Sequence, residues 1–332
     1  MIRVGVFGAG RMAQDHISNI QQSQIAKAAW IVDPNKEVGA AAASQFNTTH
    51  FERAEDALAR ASDVDAFVIV SPSATHLQII QMLLELNKPI FCEKPIAVAT
   101  EQVRACIDML KRRPVPFLLG FNRRFDRSIS TLRARIGEVG SIHTIDITSR
   151  DHPCPPLAYL RTSGGMFYDM TIHDFDMARW LLGEDVCEVY ATGSTLILPE
   201  LAQFNDIDTS VCVLKTKSGK MVNIQNSRFA AFGYDQRIQV FGNKGLLSSE
   251  NLRPTTVQFL GEKATHIDNP YPSFPTRYAE AYRQEMLHFL KDVVRDKKEP
   301  SVSAIDGLWA NLIADAATRS LKSGRSEQLD PL

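Results

Sequence analysis

Asp169, His173 and Asp176 stand four and three residues apart within residues 163–183. The stretch reads as one helix. Apolar residues recur at Met166, Met170, Met177 and Leu181, and Gly183 closes it as a C-cap. On a helix these spacings set the three polar side chains on one face. Three chemistries fit such a face. A histidine one turn from a carboxylate can act as a general base that the carboxylate orients. The same side chains could ligate a metal ion. They could also form a buried hydrogen-bonded cluster with no chemistry. The triplet alone does not choose among these.

The elements before it narrow the choice. Over residues 1–120, apolar runs at 2–7, 26–32, 66–70, 89–92 and 116–120 alternate with helical patterns at 12–23, 35–46, 52–61, 74–86 and 100–112. Continuous apolar strands separated by helices predict a doubly wound parallel sheet covered on both faces. The first strand runs into Gly8-Ala9-Gly10-Arg11-Met12-Ala13, which fits G-x-G-x-x-G/A between a strand and a helix. Gly8 permits the tight turn, Gly10 lets the backbone approach a pyrophosphate, and the helix N-terminus supplies free N–H donors. Asp33 ends the second strand about 20 residues on, where an acid meets the ribose hydroxyls. Its charge favours NAD over NADP. Arg11 either reaches the adenosine end and softens that preference or lies solvated, the simpler reading.

Two further segments follow strand ends, which face the ligand crevice in such sheets. Ser71-Pro72-Ser73-Ala74-Thr75-His76 follows the third run, and His76 reads as a polar residue of the next helix's first turn, not a catalytic group. Glu93-Lys94-Pro95 follows the fourth. There Lys94 is either a held, chemically useful cation or a surface loop lysine.

From residue 121 the pattern changes. A helix is expected over 127–136. Alternating strands are expected at 142–149, 187–194, 209–215, 221–226, 238–242, 246–248 and 257–260, with a turn at Lys217-Ser218-Gly219-Lys220. Helices at 278–294 and 305–321 close the chain. Strands in series without crossing helices predict an α+β domain with a mostly antiparallel open sheet, one face packed and the other against water or a second subunit. The expected domains are 1–120 for the dinucleotide and 121–332 for substrate and assembly.

Composition sets the outer bounds. The 332 residues carry a net charge of −1, with 44% hydrophobic and 23% charged residues, as in ordinary globular proteins. Nothing in that balance favours nucleic acid or a membrane surface as partner. No apolar run reaches transmembrane length. The chain opens on a strand, so no signal peptide is expected. The five cysteines are widely spaced without a Cys-x-x-Cys pair, which favours reduced thiols in a cytoplasmic protein.

Taken in order, the glycine loop, Thr75-His76, Glu93-Lys94-Pro95, Gly120-Phe121-Asn122-Arg123-Arg124-Phe125-Asp126 and the segment from Ser163 to Asp176 resemble the glucose-fructose oxidoreductase / inositol dehydrogenase / MocA family, and its inositol dehydrogenases most. The resemblance spans nearly the whole chain. It implies Lys94, Asp169 and His173 as catalytic residues. It implies cofactor contacts from Gly8, Gly10, Arg11, Met12, Asp33, Ser71, Pro72, His76, Glu93 and Lys94. Substrate contacts would come from Lys94, Arg124, His152, Asp169, His173, Asp176 and Tyr234, and the Lys94–Pro95 bond would be cis. The implied reaction is NAD-dependent oxidation of a cyclitol ring hydroxyl to a ketone, myo-inositol to scyllo-inosose (2-keto-inositol), with no metal. A homo-oligomer, dimer or tetramer, would form through the C-terminal sheet. Two alternatives stay open: a pyranose or aldose dehydrogenase of the same family, and a non-catalytic dinucleotide-sensing regulator.

Overall fold

A computed structural model describes residues 1–329; residues 330–332 of the expected second domain lie outside the described residues. The chain divides into two compact units. The first holds Met1–Phe125 and Glu280–Trp309, and the second holds Asp126–Ala279 and the chain from Ala310 onward. Residues 280–309, expected with the substrate domain, thus group with the nucleotide-type unit.

The first unit is built on six parallel strands: β1 (Ile2–Phe7), β2 (Ala26–Val32), β3 (Thr49–Phe51), β4 (Ala66–Ile69), β5 (Ile90–Glu93) and β6 (Phe117–Gly120). They lie in the order β3-β2-β1-β4-β5-β6, so the direction of winding reverses between β1 and β4. Helices α1 (Arg11–Gln22), α2 (Lys36–Phe46), α3 (Ala54–Leu58), α4 (Ser73–Leu84) and α5 (Thr100–Arg112) alternate with the strands. The strands are apolar on both faces because helices cover both, and β4 and β6 are buried at every residue. Trp30 stacks edge-on against Phe7, with ring centroids 5.5 Å apart. It occupies the place beside Gly5, where a Cβ would come within 2.2 Å of the indole. Two readings needed correction here. The three-residue edge strand β3 was not anticipated, and the helix expected over 52–61 is only α3 followed by a 3-10 turn, Ala61–Asp63. A strand that short, half-exposed at an edge, has no room to show alternation.

The second unit opens with α6 (Arg127–Ala134) and carries a seven-stranded sheet. Its strands are β7 (Ile142–Arg150), β8 (Val186–Ser194), β9 (Thr209–Thr216), β10 (Met221–Ser227), β11 (Asp235–Gly242), β12 (Gly245–Ser249) and the terminal β15 (Glu327–Gln328). A separate hairpin pairs β13 (Gln258–Leu260) with β14 (Thr265–Ile267). The large sheet runs β12-β11-β7-β10-β9-β8-β15, and its one parallel pair is β7 with β10. In β9 the side chains of Ser210, Cys212, Leu214 and Thr216 are buried while Val211 and Val213 face out, the period of a sheet packed on one face.

The segment 163–183 is not one helix. α7 (Leu157–Leu160) precedes it, and it divides into α8 (Met166–Asp169) and α9 (Ile172–Leu182). At the break, the Thr171 N–H reaches back to Met166 O, and the His173 N–H to Met170 O. Thr171 is buried, and its hydroxyl donates to Asn226 on β10 at 2.9 Å. Asp174 accepts from Ser149 on β7 (2.6 Å) and from Asn226 (2.7 Å). Anchoring polar side chains to the sheet at consecutive turns sets the local winding against the regular ladder. Gly183 ends α9 at φ +62°, its N–H on Arg179 O, as read. The closing helix expected over 278–294 is α10 (Phe274–Leu287) continued by a π-helical segment, His288–Arg295, before α11 (Ala304–Ser323). No helix among the described residues is long and apolar enough to cross a membrane.

Asp126 shows how the second unit is fastened. Its Oδ1 caps α6 by accepting the Ser128 and Ile129 N–H groups at 3.1 Å, and its Oδ2 accepts from Arg277 at 2.6 Å. Both side chains of this ion pair are buried. Asp126→Ala removes the cap and strands a buried guanidinium, so chemical denaturation should find the unit about 3–5 kcal/mol less stable. A loss below ~1 kcal/mol would show that Arg277 is satisfied without it.

Candidate active site

The cofactor end grows from the turn after β1. Gly8 has φ +109°, and a Cβ there would lie 2.8 Å from Ser71 N and from Val70 O, so only glycine fits. Gly10 differs. Its backbone is extended at φ −66°, and a Cβ would meet nothing within 4 Å. The fold itself therefore does not demand glycine at that position. What its absence of a side chain preserves is the space over the α1 N-terminus, where backbone N–H groups await an anion. Ala13 is fully buried beneath the turn, Met12 half-buried and Arg11 exposed. Asp33 is pinned beside this loop: Oδ2 accepts the Ala9 N–H at 2.8 Å and Oδ1 the Asn35 N–H at 2.9 Å. These residues fit a dinucleotide.

Two strand-end segments stand beyond it. Lys94 follows β5 and its bond to Pro95 is cis. The Lys94 N–H donates to Glu93 Oε2 at 3.1 Å, and Glu93 Oε1 lies 2.7 Å from His16 Nε2. After β4, the Ser71 hydroxyl bonds Thr75 at 2.7 Å, and Pro72 is exposed. His76 is only 1% exposed and spans the two segments, Nδ1 at 2.8 Å from Pro95 O and Nε2 at 2.8 Å from Ser71 O. Burial pulls its imidazole below the usual pKa, against the pull of the two carbonyls. Both ring nitrogens thus face backbone carbonyls, and a neutral ring donates to one of them at a time. Arg124 is likewise engaged inside the first unit, 3.0 Å from Asp306.

The second unit brings its own polar groups together where β7, β10 and α8 end. Arg228, one residue past β10, is 1% exposed. It donates to Asp169 Oδ2 at 2.7 Å and lies 3.9 Å from Asp151 Oδ2. The other Asp169 oxygen accepts from the Tyr159 hydroxyl at 2.7 Å. Burial would weaken the Arg228 charge, but Asp169, Asp151 and Asp206 more than offset this and its pKa is raised. Partial burial and the Asp169 charge push the Tyr159 phenol well above its ordinary value, so it remains a neutral donor. Neither Arg228 nor Tyr159 was anticipated, since no local spacing links them to Asp169. His152, in the loop after β7, sets Nδ1 at 2.9 Å from Ala230 O and packs on Phe229. That contact places a ring proton on Nδ1, facing the carbonyl. The His152–Pro153 bond is also cis. His173 is half-buried at the start of α9, while Asp176 and Tyr234 are buried. The Tyr234 ring stands edge-on to Tyr278, 6.0 Å between centroids.

A Rossmann-type sheet bearing this glycine turn, followed by a unit with a seven-stranded mixed sheet whose helices α8 and α9 carry Asp169 and His173, defines a two-part nucleotide-dependent oxidoreductase architecture. The chain belongs to the Gfo/Idh/MocA oxidoreductase family: residues 2–121 match its NAD-binding Rossmann fold and residues 133–329 its C-terminal alpha/beta domain. It is 39% identical to a myo-inositol 2-dehydrogenase of Thermotoga maritima, over 99% of either chain. A myo-inositol dehydrogenase of Corynebacterium glutamicum is 38% identical, with a TM-score of 0.94 over 100% of both chains. A scyllo-inositol dehydrogenase of Lactobacillus casei, solved with NAD(H) and scyllo-inositol, is 28% identical, with a TM-score of 0.89 over 99% of both chains. The protein is an oxidoreductase and its cofactor is NAD.

The placement of Asp33 sets a test of cofactor choice. Asp33→Ser removes the carboxylate that repels a 2′-phosphate, so the ratio of kcat/KM for NAD over NADP should fall. A wild-type enzyme that used NADP as well as NAD would overturn this role.

Proposed function

We propose that the chain oxidises a ring hydroxyl of a cyclitol to a ketone, myo-inositol to scyllo-inosose in particular. The observation that carries this reading is the likeness to inositol dehydrogenases along the whole chain. NAD, when bound, accepts hydride from the carbinol carbon. His173 takes the hydroxyl proton. Lys94 donates to the developing alkoxide and stabilises its charge. Asp169, held as an anion by Arg228 and Tyr159, orients His173 and favours the imidazolium that forms. His152, Asp176 and Tyr234 supply donors and acceptors to the other hydroxyls. No step calls for a metal, since a base and a cationic donor are both present.

The same reading makes the enzyme a cytoplasmic homo-oligomer that pairs through the open face of its large sheet. Tyr190, Val211, Val213, Met221 and Phe241 are exposed there on neighbouring strands. Val213→Lys should shift the sedimentation coefficient toward a smaller species. A monomeric wild type would remove this part of the reading.

The decisive experiment follows NADH absorbance over a panel of cyclitols and sugars. myo-Inositol should give the highest kcat/KM, and a pyranose that outran every cyclitol would move the enzyme to another substrate class. His173→Ala should lower kcat about 10²–10⁴-fold and remove the rise of rate with pH. Lys94→Ala should cost ~10²–10³-fold. The double variant should lose far less than the product of the two, because the residues act as one unit. Wild-type rates in His173→Ala would sink the mechanism, and activity lost to a chelator and restored by zinc would reopen a metal role.

A further inference from the structure

The first unit buries a titratable cluster beside Lys94 that the mechanism above does not use. His16 of α1, Glu93 at the end of β5 and Glu285 of α10 bring potential ligand atoms within 4.8 Å of one another. His16 and Glu285 are both 0% exposed. The pocket around them is aromatic: the His16 ring lies 5.1 Å from Phe91 and 5.7 Å from Tyr282, centroid to centroid. Glu93 is well supplied with donors, His16 Nε2 on one oxygen and the Lys94 N–H on the other. Glu285 has none. Neither of its oxygens finds a hydrogen-bond partner among the described residues.

Two carboxyl groups this close and this dry cannot both be ionised. A buried carboxylate without a donor costs several kcal/mol, and a second negative charge nearby adds repulsion. The donors decide which one keeps the charge. Glu93 receives two hydrogen bonds and faces Lys94, so it is the anion. Glu285 then carries a proton and has one O–H to give. The titratable groups that face it are Glu93 from the β5 end and His16 from α1, with Lys94 acting on Glu93 and the Tyr282 ring packed on His16. Burial, reinforced by the Glu93 charge, pushes the Glu285 carboxyl well above its ordinary pKa. At Glu93 burial acts in the same direction, but His16 and Lys94 outweigh it and hold that carboxyl below the usual range.

We propose that Glu285 is a positioning residue: a neutral carboxylic acid that directs its proton to the Glu93 carboxylate and, with His16, fixes the segment that carries Lys94. The cluster then sets one negative charge, not two, directly before the catalytic ammonium. The proposal rests on the reading of Lys94 as donor to the alkoxide.

The test uses the full-length protein. Its infrared spectrum at neutral pH should show the C=O stretch of a protonated carboxyl, and that band should be missing from E285Q. The glutamine keeps a neutral donor, so E285Q should stay within about twofold of wild-type kcat with an unchanged pH profile. E285L keeps the volume and removes the donor. It should lose roughly tenfold or more in kcat, the worth of a hydrogen bond to a charged group, while KM for NAD stays close to wild type. Absence of the protonated band, or an E285Q enzyme as slow as E285L, would overturn the proposal. So would a stoichiometric divalent metal in the wild type that E285Q lost, which would make the cluster a metal site. If E285L does not fold, the band and the E285Q kinetics still decide. Failure of the Lys94 reading has its own signature: Lys94→Ala stays active while the band and its loss in E285Q persist.

Discussion

A guanidinium with 1% exposure is an expensive group to bury, and the second unit is arranged around making it tolerable. Arg228 sits where β10 ends, and the acids that stabilise it come from elsewhere: Asp169 at the end of α8 and Asp151 just past β7. The backbone at the same place is shared. The Arg228 N–H donates to Asp208 O, the Asp151 N–H to Ser227 O, and the Ala230 N–H to Asp151 O. Asp208 in turn accepts the N–H groups of Leu196, Ile197 and Leu198 at 2.8 Å. The position of Asp169 is therefore a consequence of a buried charge that must be matched, and the chain ends that meet there are fixed by the same requirement. Removing Arg228 would take from Asp169 its cationic donor at 2.7 Å.

The first unit reaches a similar end by other means. Reversal of strand order between β1 and β4 leaves the β1 turn and the Ser71 segment side by side, as the 2.8 Å approach at Gly8 records. Close packing of backbone on backbone fixes the loop there, and Asp33 is tied to it through the Ala9 N–H. Charge enters there at Asp33 and again at the Glu93–Lys94 segment.

This difference explains what could be read from the sequence. The parallel sheet followed from short apolar runs between helices, and the glycine turn with Asp33 from spacing within one βαβ unit; both depend on local order. The antiparallel sheet followed from alternation, which Val211 and Val213 still show. The break between α8 and α9 did not, because it depends on Thr171 and Asp174 finding Asn226 more than fifty residues away. Arg228 was missed for the same reason, since its bond to Asp169 spans 59 residues; Tyr159 is only ten residues from Asp169 but on a separate short helix, α7. Glu285 lies beyond any local pattern too, on a helix whose own periodicity marks it as one more polar residue. The π-helical continuation of α10 replaced an ordinary helix because apolar spacing cannot tell one winding from the other over eight residues.

The two ways of holding a charged side chain imply different kinds of fragility. Lys94 is placed through its backbone: the Glu93 carboxylate takes its N–H, and His76 bonds the next carbonyl, Pro95 O. A change at the lysine side chain leaves those contacts standing, so the segment can keep its course while the chemistry proposed for it is lost. Asp169 is placed through its carboxylate, with Arg228 on one oxygen and Tyr159 on the other. There the group that does the holding is also the group the proposed chemistry needs, and any substitution takes from a buried cation its 2.7 Å partner while Asp151 stays 3.9 Å away. Loss at Lys94 should therefore separate function from stability, whereas loss at Asp169 should couple them, since an unmatched buried charge strains the fold that presents the neighbouring His173.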